Sequence, residues 1–274
     1  MARSRLVTPV SLVKARVLLA NGFASMTAYR AEIIIWMLSG TLALVMMLIW
    51  MAQASRAAGG EIGGYNGQDF ASYFLSVWVT GQLLVAWVAW ELDFQIRQGT
   101  LSPQLLRPLD PLWVHYFHHL AERIVRLPFM VLLVALFAWL TGAHFSSNPL
   151  DYLIFLVLAM VGFTMRFLWE YCTGLLAFWM ESSTALSELN WLLYAALGGF
   201  FAPLSFYPPL VQDIARWTPF PYMVGLPAQL LAGKATLAQA SWGLLVLAGW
   251  TVAFWLLRAW MWRSGLRRYG AVGA

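Results

Sequence analysis

Histidines 115, 118 and 119 stand in the run His115-Tyr116-Phe117-His118-His119. This is the HxxHH spacing with which membrane desaturases and hydroxylases hold paired irons. Such a centre draws many imidazoles from several segments. The chain has four histidines in all, and the remaining one, His144, falls at the far end of a different apolar run. The ligand set is too small, so we read the cluster as polar aromatic groups at a membrane interface. Ala228–Lys234, AQLLAGK, fails as a phosphate loop for a comparable reason. That loop needs glycine first and Ser or Thr after the lysine, and here the positions are Ala228 and Ala235. There is no GxSxG nucleophile elbow. The single cysteine, Cys172, can form neither an internal disulfide nor a cysteine metal site. We therefore expect no catalytic residue, no metal and no cofactor on this chain.

One polar concentration survives. Gly162, Arg166, Glu170 and Gly174 recur every fourth residue and so share one stripe of a helix. Arg166 falls near the middle of an apolar run. There an arginine costs about 2.5–3.5 kcal/mol on insertion scales, part of which an i,i+4 carboxylate offsets. The flanking glycines admit a second helix at close range. Two readings follow. The pair is either a polar patch facing a substrate pathway or a structural ion pair that fixes one helix against another.

The elements that must carry these residues follow from composition. The sequence is 274 residues long, 61% hydrophobic and 11% charged. Soluble domains run at roughly 45–50% apolar and about 25% charged. This is an all-α integral membrane chain. Runs long enough to cross a bilayer, about 20 residues, lie at 33–52, 70–90, 127–150, 152–180, 189–212 and 235–257, which gives six transmembrane helices. Basic residues gather in three segments: Arg3, Arg5, Lys14, Arg16 and Arg30; Arg97, Arg107, Arg123 and Arg126; and Arg258, Arg263, Arg267 and Arg268. The other side has Arg56, Arg216 and Lys234. The positive-inside rule puts the first group, and both termini, in the cytoplasm. Scattered in this way, the basic residues are an orientation signal and not a nucleic-acid patch. Residues 9–30 read as an interfacial helix along the inner surface, with a plain cytoplasmic lead-in as the alternative. Nothing in 1–30 has the apolar core of a cleavable signal, and no soluble domain is expected. Gly59–Gly67 reads as a flexible outer loop.

The most distinctive connection is 91–123. Gly99 breaks it. Ser102-Pro103 starts a helix, with Ser102 as cap and Pro103 in its first turn. Arg107-Pro108 and Asp110-Pro111 end the helix after about two turns. A short, bracketed helix with an apolar Leu105-Leu106 step suits docking into another protein more than it suits a solvated connection. Beyond the fifth run the chain breaks at Gly198-Gly199 and Pro203. Phe206–Lys234 then reads as two short helices that dip into the outer leaflet, the first with Leu210, Ile214 and Trp217 on one stripe. An amphipathic helix on the outer surface is the alternative.

Together these elements resemble the permease subunit of type-2 ABC transporters, in the stand-alone bacterial form. The most specific residues are Glu91, Ile96, Gly99, Leu101, Leu105-Leu106 and Pro108, similar to the family's E…I..G.L…LL.P pattern. Pro203, Pro208, Pro219-Phe220 and Pro227 are a softer match. The resemblance implies an exporter in a bacterial plasma membrane, with two permeases, identical or related, facing each other. It also implies two copies of a separate ATPase subunit that holds the ATP and Mg. That subunit would dock on Arg97, Gly99, Leu101, Pro103, Leu105, Leu106, Arg107 and Pro108, with Glu181 and the turn 181–188 as a second contact. Spans one, two and five would face the substrate, an amphipathic, lipid-like or drug-like molecule. Trp36, Trp78, Trp87 and Phe200 become candidate contacts for an apolar or cationic aromatic group. Arg166 and Glu170 match no family motif. Two other classes compete: a secondary carrier using Glu170, and a lipid-modifying membrane enzyme using Arg166, Glu170 and the histidine cluster.

Overall fold

The structure is a computed structural model that describes residues 10–28, 35–37 and 40–272. Arg3, Arg5 and Arg30 therefore lie outside the described residues, as do the ends of the expected interfacial helix and the start of the first run. Almost everything described is helix: α1 (Leu12–Ala28), α2 (Leu42–Arg56), α3 (Gly67–Leu84), α4 (Val88–Arg97), α5 (Ser102–Leu105), α6 (Pro111–Thr141), α7 (Pro149–Leu175), α8 (Thr184–Gly198), α9 (Pro209–Arg216), α10 (Phe220–Met223), α11 (Gly225–Leu231) and α12 (Leu237–Val272). Strands β1 (Glu61–Ile62) and β2 (Tyr65–Asn66) form one small hairpin. The glycine-rich 59–67 segment is thus ordered where a flexible loop was expected. Gly63 and Gly64 both take positive φ, as the tightest hairpin turn requires.

Five helices are long and apolar enough to cross a membrane: Ile35–Arg56, Gly67–Arg97, Pro111–Thr141, Pro149–Phe178 and Leu237–Tyr269. The fifth expected span, 189–212, is not among them. Its helical part is α8, 15 residues or about 22 Å, against about 30 Å of hydrocarbon. Gly199, at φ 96°, ends the helix in the left-handed conformation that glycine tolerates. The chain nevertheless runs the height of the bundle here. Ser183, before α8, bonds Asp93 at one end, and Phe206 packs on Tyr65 at the other, ring centres 5.8 Å apart.

Three other boundaries differ from expectation. The third run, 127–150, belongs to a helix that starts at Pro111, behind an Asp110 cap, and stops at Thr141. Most of 91–123 is accordingly helical continuation of the spans, and only 98–110 lies outside the long helices. The second run is interrupted at 85–87, between α3 and α4.

Packing sorts the helices. α3 with α4, and α7, are the most enclosed, while α2, α6 and α12 leave most of their apolar surface uncovered. α7 packs on α12 and α4, α2 on α3, and α1 on α6. Two glycines let these contacts close. A Cβ at Gly174 would meet the Ala89 backbone and the Leu92 Cβ at 2.8–3.0 Å, and one at Gly22 would meet the Ala121 Cβ at 3.0 Å. The end of the bundle that carries 98–110 also receives the last turns of α12, and α1 packs on the part of α6 near that end. That end is called the basic end below.

Candidate functional site

At the basic end the segment 98–110 is tied down at several points. Gly99 turns the chain at φ 73°. Leu101 is fully buried and Leu105 half-buried. α5 is a single turn with Pro103 in its first residues, half the length expected. Ser102 does not cap it: its hydroxyl is 2.9 Å from the Tyr269 hydroxyl of α12. Asp110 accepts from the Leu112 amide at 2.9 Å and pairs with Arg258, also of α12. Arg258 is buried there with its guanidinium over Tyr171 and Trp262, so it does more than signal orientation. Between these anchors Leu106 is 87% exposed, with Arg107 and Pro108 exposed beside it. Arg97 pairs with Asp93 at 2.6 Å. The buried Asp93 also accepts from the Ser183 amide (2.8 Å) and hydroxyl (3.0 Å). One carboxylate therefore joins the Arg97 end of α4 to the turn that contains the exposed Glu181.

One level deeper lies the break at 85–87, where two carbonyls and an amide have no helical partner. Residues of α6 take them. Arg123 donates from Nε to the Leu83 carbonyl at 2.7 Å and from its two Nη atoms to the His119 and Val85 carbonyls. Its guanidinium lies 3.8 Å from the ring centre of Phe163. His119 accepts from the Trp87 amide on Nε2 (3.3 Å) while Nδ1 faces the His115 carbonyl (3.0 Å). This fixes a neutral imidazole with the proton on Nδ1. His115 Nδ1 lies 2.8 Å from the Glu91 carboxylate. The HxxHH cluster thus holds α3 and α4 in their bent arrangement. Arg123 and Arg126, expected as loop charges, are buried inside a helix.

The break opens beside a cavity of about 800 Å³. Trp36, Trp78, Trp87 and Phe200, the four aromatics singled out from the sequence, all line it, together with Arg166, Arg126, Glu122, Gln82, Trp90, Trp191 and Tyr194. Phe200 reaches the wall through Gly81, where a Cβ would meet its ring at 3.0 Å. The Trp87 indole donates to Glu122 at 3.1 Å. Arg126 pairs with Glu122 and donates to Gln82 at 2.7 Å. Arg166 pairs with Glu170 at 3.3 Å, both buried, and its guanidinium stacks 3.7 Å over Tyr194. The pair is buried and stacked on a neighbouring helix, and Arg166 also lines the cavity. Glu122–Arg126 is the same i,i+4 device one helix away. It was legible as such once Asp110-Pro111 is taken as the start of α6.

The opposite end carries a different cluster. Asp69 pairs with Lys234 at 3.0 Å and with His144 at 3.4 Å. Lys234, last residue of the failed phosphate loop, is in this way a structural cation. α9 presents Leu210, Ile214 and Trp217 outward, each more than half exposed. α10 and α11 are buried against α7, α8 and α3. Only the second of the two expected dipping pieces is enclosed by protein. The first leaves its apolar stripe uncovered by protein.

A family model described as ABC-2 family transporter protein matches residues 38–273. No curated protein matches the chain.

Proposed function

The chain belongs to the ABC-2 family of transporter proteins, and on that premise we propose that it is the membrane-spanning permease of an ATP-driven exporter, with ATP and Mg held by separate ATPase subunits. The family and the long apolar helices make it a multi-pass membrane component of a transporter. The observation that carries the finer reading is the segment 98–110. A piece of chain anchored by Leu101, by Ser102–Tyr269 and by Asp110–Arg258 still turns Leu106 out almost fully exposed. An apolar side chain held in place on a rigid turn is the kind of anchor that a partner's pocket takes up. Asp93 links the turn at Glu181 to the same place, which supports a two-part docking face for the ATPase made of Arg97, Gly99–Pro108 and Glu181.

In this reading the basic end is cytoplasmic, and the traverse 184–206 supplies the sixth crossing despite its broken helix. Two ATPases closing on two permeases would move α5. Through Asp93 and Arg258 that movement enters α4, whose Trp90 lines the cavity, and α12, which packs on the helix that carries Arg166. The cavity with Trp36, Trp78, Trp87 and Phe200 is the substrate pathway, in a bacterial plasma membrane. The competing classes are weaker. Glu170 is locked to Arg166 rather than free to follow an ion, and of the histidines of a supposed enzyme His119 holds backbone and His115 is paired with Glu91.

The test is isolation of the tagged protein from gently solubilised membranes, with its partners identified and weighed, for the natural sequence and for Leu106→Asp. The expected result is an ABC ATPase at near-equal amount with the first and at least about tenfold less with the second, with the permease equally stable. That loss corresponds to about 1.4 kcal/mol. A preparation without any ATPase, or one in which Leu106→Asp retains it fully, overturns the assignment.

A further inference from the structure

Buried polar atoms without a partner are rare in folded chains, and each asks for an explanation. Around the cavity they concentrate. Nε and Nη1 of Arg166, Nε of Arg126, Nε1 of Trp78 and the Tyr194 hydroxyl have no partner. All four residues line the cavity, and each is more than nine-tenths buried. The nitrogens can only donate. Among the described residues the one lining side-chain acceptor left over is the Tyr194 hydroxyl, which can also donate. Charge has the same sign. Of the charged side chains that line the cavity, two are guanidiniums, Arg126 and Arg166, and one is a carboxylate, Glu122, in a medium where charge is poorly screened. A wall of spare donors under a net positive charge is complementary to oxygen acceptors that bear negative charge. Above it, Trp36, Trp87 and Trp191 are each 40–65% exposed and offer an apolar channel to the outside of the bundle.

We propose that this cavity binds amphiphiles with an anionic head group, carboxylate or phosphate. The head oxygens accept from Arg166, Arg126 and Trp78, and the apolar body runs out between the tryptophans. This rests on the reading of the cavity as the substrate pathway. It also reverses the preference that the aromatics alone suggest. Their ring faces favour a cation, but two guanidiniums, Arg126 and Arg166, stand behind them and repel one.

The experiment uses the purified protein in phosphatidylcholine nanodiscs at pH 8. It follows tryptophan quenching by three chains of equal length brominated at the tail: 11-bromoundecanoate, 11-bromoundecanol and an 11-bromoundecyl trimethylammonium salt. Saturable quenching at least about tenfold tighter for the carboxylate than for the other two is expected. Arg166→Gln should abolish that preference and leave the alcohol unchanged, which also reports that the variant is folded. Glu170→Gln removes the partner of Arg166 without removing Arg166. It should tighten carboxylate binding several-fold, a direction that mere damage to the fold does not produce. If all three probes bind saturably and alike, or the ammonium binds best, the head-group proposal fails while the cavity stands as a pathway. If none binds saturably, both fail.

Discussion

Two of the helix interruptions among the described residues, at 85–87 and at 199–203, are repaired by different chemistry. In hydrocarbon an unpaired backbone group costs several kcal/mol, so each must find a partner in the protein. At 85–87 the partners are charged or imidazole groups of one neighbouring helix: Arg123 takes the Leu83 and Val85 carbonyls, and His119 takes the Trp87 amide. At 199–203 they are neutral aromatics from three places. The Tyr73 hydroxyl donates to Gly199 at 3.0 Å, the Trp50 indole to Phe201 at 2.8 Å and the Tyr207 hydroxyl to Ala196 at 2.8 Å. The first repair concentrates the load on one side chain. The second spreads it. Removing one member should therefore be severe at the first break and mild at the second.

Arg123→Leu is the strongest test. It leaves the Leu83 and Val85 carbonyls without a donor, each worth about 1–3 kcal/mol when buried and unsatisfied. We expect a loss of order 3–5 kcal/mol, read as a thermal midpoint at least about 10 °C lower or as protein missing from the membrane. Arg123→Lys should recover only part, since an ammonium cannot reach three carbonyls in one plane. A midpoint for Arg123→Leu close to that of the natural sequence would show that the bend is held by packing and not by the guanidinium.

Gly199→Ala ranks next. At φ 96° a side chain is strained wherever it points, which costs about 1–3 kcal/mol. Here the new methyl is also driven into the Tyr73 hydroxyl. Adding Tyr73→Phe removes the clash but not the backbone strain. The double variant should then be less damaged than the sum of the two singles, by an amount that thermal midpoints resolve. Simple additivity would mean that Tyr73 and Gly199 are not the coupled pair drawn here.

The same contrast decides what could be read from the sequence. The second break was legible: Gly198-Gly199 and Pro203 are breakers by their own backbone chemistry. Its error was one of length, because 189–212 was still counted as a single helix. The first break was not legible. Leu84-Val85-Ala86-Trp87 contains neither glycine nor proline. It opens because side chains more than 30 residues away take over the hydrogen bonds, and no local pattern encodes that. For the same reason Arg123, Arg126 and Arg258 looked like orientation charges, since a positive-inside count does not ask what each charge touches. The cavity was half legible. Aromatic positions on runs 33–52, 70–90 and 189–212 line one cavity. Of the spare donors, those of Trp78 and Arg166 sit on residues the sequence had singled out, whereas Arg126 comes from α6, which had been taken for a loop over its first half.

The smallest expected effect is the sharpest check on the comparison. Trp50→Phe keeps a ring against Phe70, whose centre lies 5.1 Å away, and deletes only the indole donor to Phe201. Hydrogen bonds between helices in membranes average about 0.6 kcal/mol in double-mutant cycles, so a midpoint shift of only about 1–3 °C is expected. Two sister bonds remain, and the carbonyl lies next to a turn that can relax toward the smaller cavity beside Gly198 and Gly199. Were Trp50→Phe to cost as much as Arg123→Leu, the second break would be as concentrated as the first. The distinction between a repair that rests on one charge and a repair shared among neutral rings would then have no energetic content.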